Sequence, residues 1–349
     1  MIKRLIIYFL FLFNFAFSFA EEIKPLQSGK IQFDTFYTFD YGRINSGIYK
    51  NSSIKGTGNL FLPKNLGKTE KIPLILILHT SGGVKSNREN YYAKFLREQG
   101  YAAYVIDTYG SRKCNASGSG WKNCLSKILM LDFVTDAYMA LNKLSTHPNI
   151  DPKKTILLGF SYGADASMWS LDKELKDLFS PNQEPFKSVI SVYGACNNIL
   201  NIKETIGSNF YYIVGSKDIS YNKADCAKRY QELKNAGSTS KEYVIENAVH
   251  GFDADFQVLT IPNSEIPDFF SNCKFEYFKD GSVIEQTTKK KINLNSNDSL
   301  KDKFKSVKNY TFSEIKACYG NKSLVMGRQN FAIEETKKIF LEILKNEIN

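Results

Sequence analysis

The stretch TILLGFSYGADASMW, residues 155–169, decides how this chain is read. Thr155 to Leu158 are apolar or β-forming. They run into Gly159-Phe-Ser-Tyr-Gly163, and a helix-compatible run begins at once. A serine set between a buried strand and the next helix must turn its hydroxyl outward through a tight, strained corner. Gly159 and Gly163 let strand and helix approach there without a Cβ clash. In an open parallel sheet, ligands gather at the carboxyl ends of the strands, which is where this corner falls. The Tyr162 N–H and the positive end of the helix then face any oxyanion formed at Ser161. Gly-x-Ser-x-Gly alone is a weak signal; between strand and helix it marks a nucleophile.

Such a corner calls for an acid and then a histidine further along the chain. The chain has three histidines. His79 ends a strand well upstream, and His147, in STHPN, reads as a surface cap at a helix end. His250, in NAVHGFD, is the one that follows Ser161. Asp218, in YYIVGSKDIS, comes just after a late strand and fits the acid; Asp253 and Asp255 follow the histidine, and Asp165 sits on the helix after the serine. The expected catalytic set is Ser161, Asp218 and His250. A second oxyanion donor is sought in HTSGG, residues 79–83, where the Ser81 N–H is the first choice and Thr80 its competitor. The loop 111–125 also leaves a strand's carboxyl end, so Tyr109, Arg112 and Trp121 are expected to approach the substrate.

Around this centre the chain alternates strands and helices. IQFDTFYTF and IKGTGNLFLP read as two edge strands with one wet face, and KIPLILILH, residues 71–79, as a strand buried on both faces. A helix over 87–99, the strand YAAYVID, a long helix over about 126–145, the strands SVISVYG and NFYYIVGS, a helix over 221–236, the strand EYVIENA and a last helix over about 328–346 complete the pattern. Strands alternating with helices give βαβ units and a doubly wound, mostly parallel sheet. Residues 252–317 break the rhythm and read as an insertion before the last helix, with a hairpin turning at Lys279-Asp280-Gly281.

The chain opens MIKRLIIYFLFLFNFAFSFAEE. Lys3 and Arg4 precede an apolar stretch of about 13 residues, and Ser18-Phe19-Ala20 offers small residues at a signal-peptidase site. Residues 1–20 therefore read as a signal peptide. The apolar stretch is shorter than the ~20 residues needed to span a bilayer, which disfavours the alternative, an uncleaved anchor. Export to the periplasm or beyond follows, with no stable membrane insertion after cleavage, and one α/β domain over 21–349. Loss of Lys3 and Arg4 takes the formal net charge from +10 to +8. The lysines are scattered and KKK at 289–291 is too short a run to bind nucleic acid. Six cysteines, Cys114, Cys124, Cys196, Cys226, Cys273 and Cys318, form an even set in an exported chain and read as disulfides, of which six allow 15 connectivities. No pair has C-x2-C spacing and none adjoins a histidine, which disfavours zinc.

The pieces LILHTSGG, VIDTYGSRKC, LLGFSYGADA, VYGAC, GSKD with DCAKRY, AVHGFD and the C-terminal CYGNKSLVMGRQNFAIEETKKIFLEIL together resemble the dienelactone hydrolase branch of the α/β-hydrolase fold, in its exported members. The resemblance implies a nucleophile, an Asp and a His, which fall on Ser161, Asp218 and His250. The dienelactone enzymes proper use cysteine as nucleophile, so their lactone specificity is not carried over; Thr80 stands where a glycine is usual. The resemblance also supports a Cys196–Cys226 bond, as do the neighbouring strands that precede them. Cys114 and Cys124 close the loop CNASGSGWKNC, and Cys273 and Cys318 are left to staple the insertion. The function expected is an exported serine hydrolase acting on a small carboxylic ester through an acyl-enzyme, without metal or cofactor. A peptidase or amidase on the same fold, or an inactive relic that binds an envelope polymer, are the alternatives.

Overall fold

A computed structural model of the chain describes residues 28–67, 70–268, 272–294 and 297–348. The expected signal peptide, residues 1–20, lies outside them. The main sheet has eight strands: β1 (Gly29–Phe36), β2 (Ser53–Phe61), β3 (Ile72–Leu78), β4 (Ala102–Ile106), β5 (Ile150–Phe160), β6 (Ser188–Val192), β7 (Asn209–Gly215) and β8 (Ser240–Ile245). Their spatial order is β1-β2-β4-β3-β5-β6-β7-β8. β1 and β2 pair antiparallel, as does β2 with β4. From β4 to β8 every pairing is parallel.

Period-two alternation distributes the side chains. In β3, Leu74, Leu76 and Leu78 enter one core, and Ile75 and Ile77 the other. The first core packs against the helix Met130–Leu144 and the helix after Ser161; the second packs against the helices Glu89–Glu98 and Asn330–Ile348. β1, with one face wet, alternates instead between exposed and buried positions. A mostly parallel sheet in this order, with helices on both faces, is an α/β-hydrolase fold.

The expected helix over 126–145 is divided in two. A first helix, Gly120–Lys127, begins inside the cysteine loop and runs past Cys124, and the second starts at Met130. Ile128 and Leu129 are extended, and Asp132 Oδ2 accepts the Leu129 N–H at 3.0 Å, capping the second helix. His147 is not on the surface. It is buried and its Nδ1 accepts the Asn149 N–H at 3.0 Å, so it shapes the turn into β5.

After His250 the chain leaves the sheet. β9 (Leu259–Ile261) pairs antiparallel with β13 (Leu324–Met326), so the excursion closes beyond residue 317. Within it, β10 (Phe275–Tyr277) and β11 (Ser282–Glu285) form the hairpin, and β12 (Lys291–Asn293) adds a third strand. A helix, Leu300–Asn309, follows. Its residue Val307 joins Leu294 and Phe39 in a small cluster shared with the main body.

The six cysteines pair as Cys114–Cys124, Cys196–Cys226 and Cys273–Cys318. Cys273 and Cys318 are 45 residues apart in sequence, and closing a loop of that length should stabilise by about 4 kcal/mol in the chain-entropy account. Denaturant unfolding of the Cys273→Ala/Cys318→Ala double variant is expected to show a loss near that size. A loss under about 1 kcal/mol would mean that the segment is held without its bridge.

Candidate active site

Ser161 is the turn between β5 and the helix Tyr162–Trp169, with φ 49° and ψ −113°. A non-glycine residue in such a conformation costs on the order of 1–3 kcal/mol and persists only where its surroundings fix it. Here the Ser161 N–H donates to Val192 O at 2.9 Å, and its carbonyl accepts from the Ala164 and Asp165 N–H groups at 2.8 and 2.9 Å. A Cβ on Gly159 would lie 2.1 Å from Gly163 O, and one on Gly163 would lie 2.6 Å from His79 O. No side chain fits at either position. The two glycines are what let β5, the helix and the end of β3 meet at one point.

His250 comes down from β8 onto the same point. Its Nε2 is 3.1 Å from Ser161 Oγ, and its Nδ1 is 2.8 Å from Asp218 Oδ2. The other oxygen, Asp218 Oδ1, accepts from the Ser220 N–H at 2.8 Å and from its hydroxyl at 2.6 Å. Both oxygens of a buried carboxylate are thus occupied, which fixes its plane against the imidazole. The Tyr193 ring stands edge-on to His250 at 5.2 Å, and its hydroxyl donates to Asp253 Oδ1 at 2.6 Å. Burial works against the imidazolium. The charge and hydrogen bond of Asp218 outweigh it, and the pKa of His250 is held above the ordinary histidine value.

Loop 79–85 lies beside the serine because β3 and β5 run in register, Leu78 opposite Gly159. Glu89 organises it: Oε1 accepts the Thr80 N–H at 3.2 Å and Arg88 Nε at 2.8 Å, and Oε2 accepts the Lys85 N–H at 2.9 Å. Arg88 Nη2 also donates to Gly83 O at 3.1 Å. The Thr80 amide is therefore engaged. Among the described residues the amides of Ser81 and Tyr162 have no acceptor, and both residues line the cavity into which Ser161 opens.

The chain belongs to the dienelactone hydrolase family. The family's model matches residues 57–264, from β2 to beyond His250. Members are carboxylic ester hydrolases, and so is this one. Similar solved structures include a putative dienelactone hydrolase from Klebsiella pneumoniae, 17% identical over 64% of this chain and 88% of that one, with a TM-score of 0.45. A dienelactone hydrolase-like promiscuous phosphotriesterase from metagenomic libraries is 16% identical over 64% and 84%, TM-score 0.46. Thermogutta terrifontis esterase 2 phosphorylated by paraoxon is 14% identical over 57% and 80%, TM-score 0.43. No curated protein matches the chain.

Of the residues expected near the substrate, this hydrolase brings Trp121 to the cavity with Ser161, Tyr162 and Ser81. Tyr109 and Arg112 are elsewhere. Tyr109 is buried with its ring edge-on to His79 at 4.6 Å. Arg112 has a fully buried side chain. It donates to Asp136 Oδ2 at 2.7 Å and Oδ1 at 3.0 Å, lies 3.5 Å from Asp132 Oδ1, and donates to Phe36 O at 2.7 Å. It joins the cysteine loop to the helix Met130–Leu144 and to β1. Two aspartates four apart on the apolar first half of that helix were the available signal that a cation must enter the core there. The cavity residues contributed by the insertion, such as Tyr277 and Val283, carried no comparable signal.

This placement separates two roles for Arg112. Arg112→Ala leaves Asp132 and Asp136 without their buried cation and should cost about 3–5 kcal/mol of stability. Denaturant unfolding is the measurement. A stable variant with only a raised KM would return Arg112 to substrate binding.

Proposed function

We propose that the chain is an exported serine esterase that works through an acyl-enzyme on Ser161. The observation that carries this reading is the hydrogen-bonded line from Ser161 Oγ through both His250 nitrogens to Asp218. Ser161 Oγ attacks the ester carbonyl carbon while neutral His250 Nε2 takes its proton. Asp218 holds the proton on Nδ1 and stabilises the imidazolium that forms. The imidazolium then protonates the departing alcohol, leaving the acyl group on Ser161. Water, deprotonated by the same Nε2, releases the carboxylic acid. The amides of Tyr162 and Ser81 receive the oxyanion in both halves of the reaction. His79 has no part in this. Its Nδ1–H donates to Thr80 O at 2.7 Å beneath the loop, and burial pushes its pKa down.

Three disulfides and a basic-then-apolar N-terminus support export. Among the described residues no helix is long and apolar enough to cross a membrane. We read residues 21–349 as one hydrolase domain carrying an insertion that begins at 252 and closes at β13.

Ser161→Ala and His250→Ala should each lower hydrolysis of p-nitrophenyl acetate at least ~10³-fold with the fold intact, and Asp218→Asn somewhat less. Loss of activity in His79→Ala with His250→Ala unaffected would refute the assignment. A fluorophosphonate probe should label the wild type at Ser161.

The acid limb of the pH profile offers a second test. Below its pKa, His250 is protonated and cannot accept the serine proton. That pKa is raised, so kcat/KM should rise with pH through a midpoint above 6.5. Asp218 is the main source of the rise, with Asp165 and Asp253 adding to it. Asp218→Asn should therefore move the midpoint down. An unmoved or higher midpoint would contradict the coupling.

A further inference from the structure

Ser161 does not open onto bare solvent but into a cavity of about 210 Å³. Its floor is the serine helix, with Tyr162, Asp165 and Trp169; Trp121, Leu125 and Leu129 form one wall. The roof comes from the insertion, through Phe275, Tyr277, Val283, Ile292, Leu294 and Val307. Most of the surface facing the ligand is carbon, with polar atoms confined to a few side chains such as Ser161, Asn197 and Asn198. Two of its tyrosines turn their hydroxyls to other partners: Tyr162 donates to Ile128 O at 3.1 Å, and Tyr310 donates to Lys290 O at 2.9 Å while accepting the Glu285 N–H at 2.9 Å. An engineered apolar cavity of about 150 Å³ holds benzene, so this one takes a chain on the order of six to eight carbons.

Its charges point the same way. Among the described residues the lining includes two carboxylates and no lysine or arginine. Asp40 is already paired, its Oδ2 2.9 Å from the buried Lys303 Nζ, which also donates to Leu294 O at 3.2 Å. Asp165 Oδ1 accepts the Ala195 N–H at 2.6 Å, and burial pushes its pKa up to about 7. A second carboxylate on a substrate would enter with no cation to meet it.

The roof is fixed in place. Lys274 Nζ lies 2.6 Å from Asp225 Oδ1, and Lys279 Nζ lies 2.6 Å from Asp172 Oδ2. Asn197 Nδ2 donates to Cys273 O at 2.6 Å. With the Lys303–Asp40 pair, these tie the insertion to the main body at four places around the cavity.

We propose that this cavity is the binding site for an uncharged, medium-length hydrocarbon chain of the ester substrate, with the insertion as its permanent roof. The proposal rests on Ser161 being the nucleophile. The chain belongs to either the acyl or the alcohol side of the ester, and both present the same chemistry to these walls.

The test uses the full mature chain. Burial of a methylene is worth about 0.8 kcal/mol, or about fourfold in kcat/KM. Across p-nitrophenyl acetate to octanoate, kcat/KM should climb at least ~100-fold if the cavity takes the acyl side. The acetates of ethanol to octanol should climb if it takes the alcohol side. Val283→Phe, which fills the roof, should cut the octanoyl-to-acetyl ratio, or the octyl-to-ethyl ratio, at least tenfold. Ile292→Phe serves the same purpose if the first variant fails to fold. Acetate hydrolysed through Ser161 with a flat or falling profile in both series would overturn the proposal and leave the esterase standing.

Binding is read independently of turnover. The chain's two tryptophans, Trp121 and Trp169, both line the cavity, so their fluorescence reports its occupancy. In Ser161→Ala, 1-octanol should give a saturable change, and octanoate should bind at least tenfold more weakly. Saturable octanol binding in a chain that hydrolyses no ester would refute the esterase and uphold the cavity's preference. Equal binding of octanoate and octanol, or no binding of octanol, would overturn it.

Discussion

The approach of three backbones at Ser161 is the constraint on which the rest of the structure depends. With Gly163 O only 2.1 Å from where a Gly159 Cβ would stand, β5 and its helix touch through backbone alone. That contact holds the serine at positive φ and aims its hydroxyl out of the sheet. It also brings the start of the helix against the end of β3, and hence against loop 79–85. A serine hydroxyl and two amides come together there without a long side chain to position them. The strain is local, and the order is imposed by the parallel sheet on either side, where Leu78, Gly159 and Ser191 sit at the same level.

Buried ionic side chains do for the loops what the glycines do for the corner. Glu89 and Arg88 gather the amides and a carbonyl of loop 80–85. Arg112 gathers Asp132, Asp136 and Phe36 O behind the cysteine loop. Burial of charge is costly, and such groups persist where each polar atom finds a partner. Their common effect is to give irregular segments at the carboxyl edge of the sheet a single conformation. The catalytic reading therefore leans on residues that need never touch the substrate.

Much of this was legible in the chain because it rests on local pattern. The strand-corner-helix signature located Ser161, and with three histidines and a required order, His250 and Asp218 were reached by elimination. The structure brings those three side chains within hydrogen-bond reach of one another. Arg112 was misread because loop position says where a residue starts but not which way a long side chain turns. Its direction is set by Asp132 and Asp136, on a helix that sequence reading ran into the one before it. His147 was misread in the same manner, a polar residue at a helix end being buried by a turn that uses its ring nitrogen as acceptor. The roof of the cavity was beyond reach for a different reason. Tyr277 and Val283 pair across the local hairpin the sequence suggested, but that hairpin reaches the cavity through contacts far away in sequence, such as Ile199 to Phe275 and Asp172 to Lys279, which no spacing encodes.

The placement of the disulfides follows from the same division between regular and irregular structure. Trp121 lies between Cys114 and Cys124, Ala195 and Asn197 flank Cys196, and the roof from Phe275 to Val307 lies between Cys273 and Cys318. Each bridge thus brackets or adjoins a wall of the cavity. The sheet, by contrast, contains no cystine within its strands; Ser161, Asp218 and His250 follow the carboxyl ends of β5, β7 and β8, strands held by their ladders and two apolar cores. Walls made of short strands and turns gain fewer backbone hydrogen bonds for the chain entropy they lose. Cross-links that reduce the freedom of the unfolded chain stabilise most where the folded segment has least else to hold it. On that argument, the sheet secures the placement of Ser161, Asp218 and His250, and the cysteines secure the shape of the cavity.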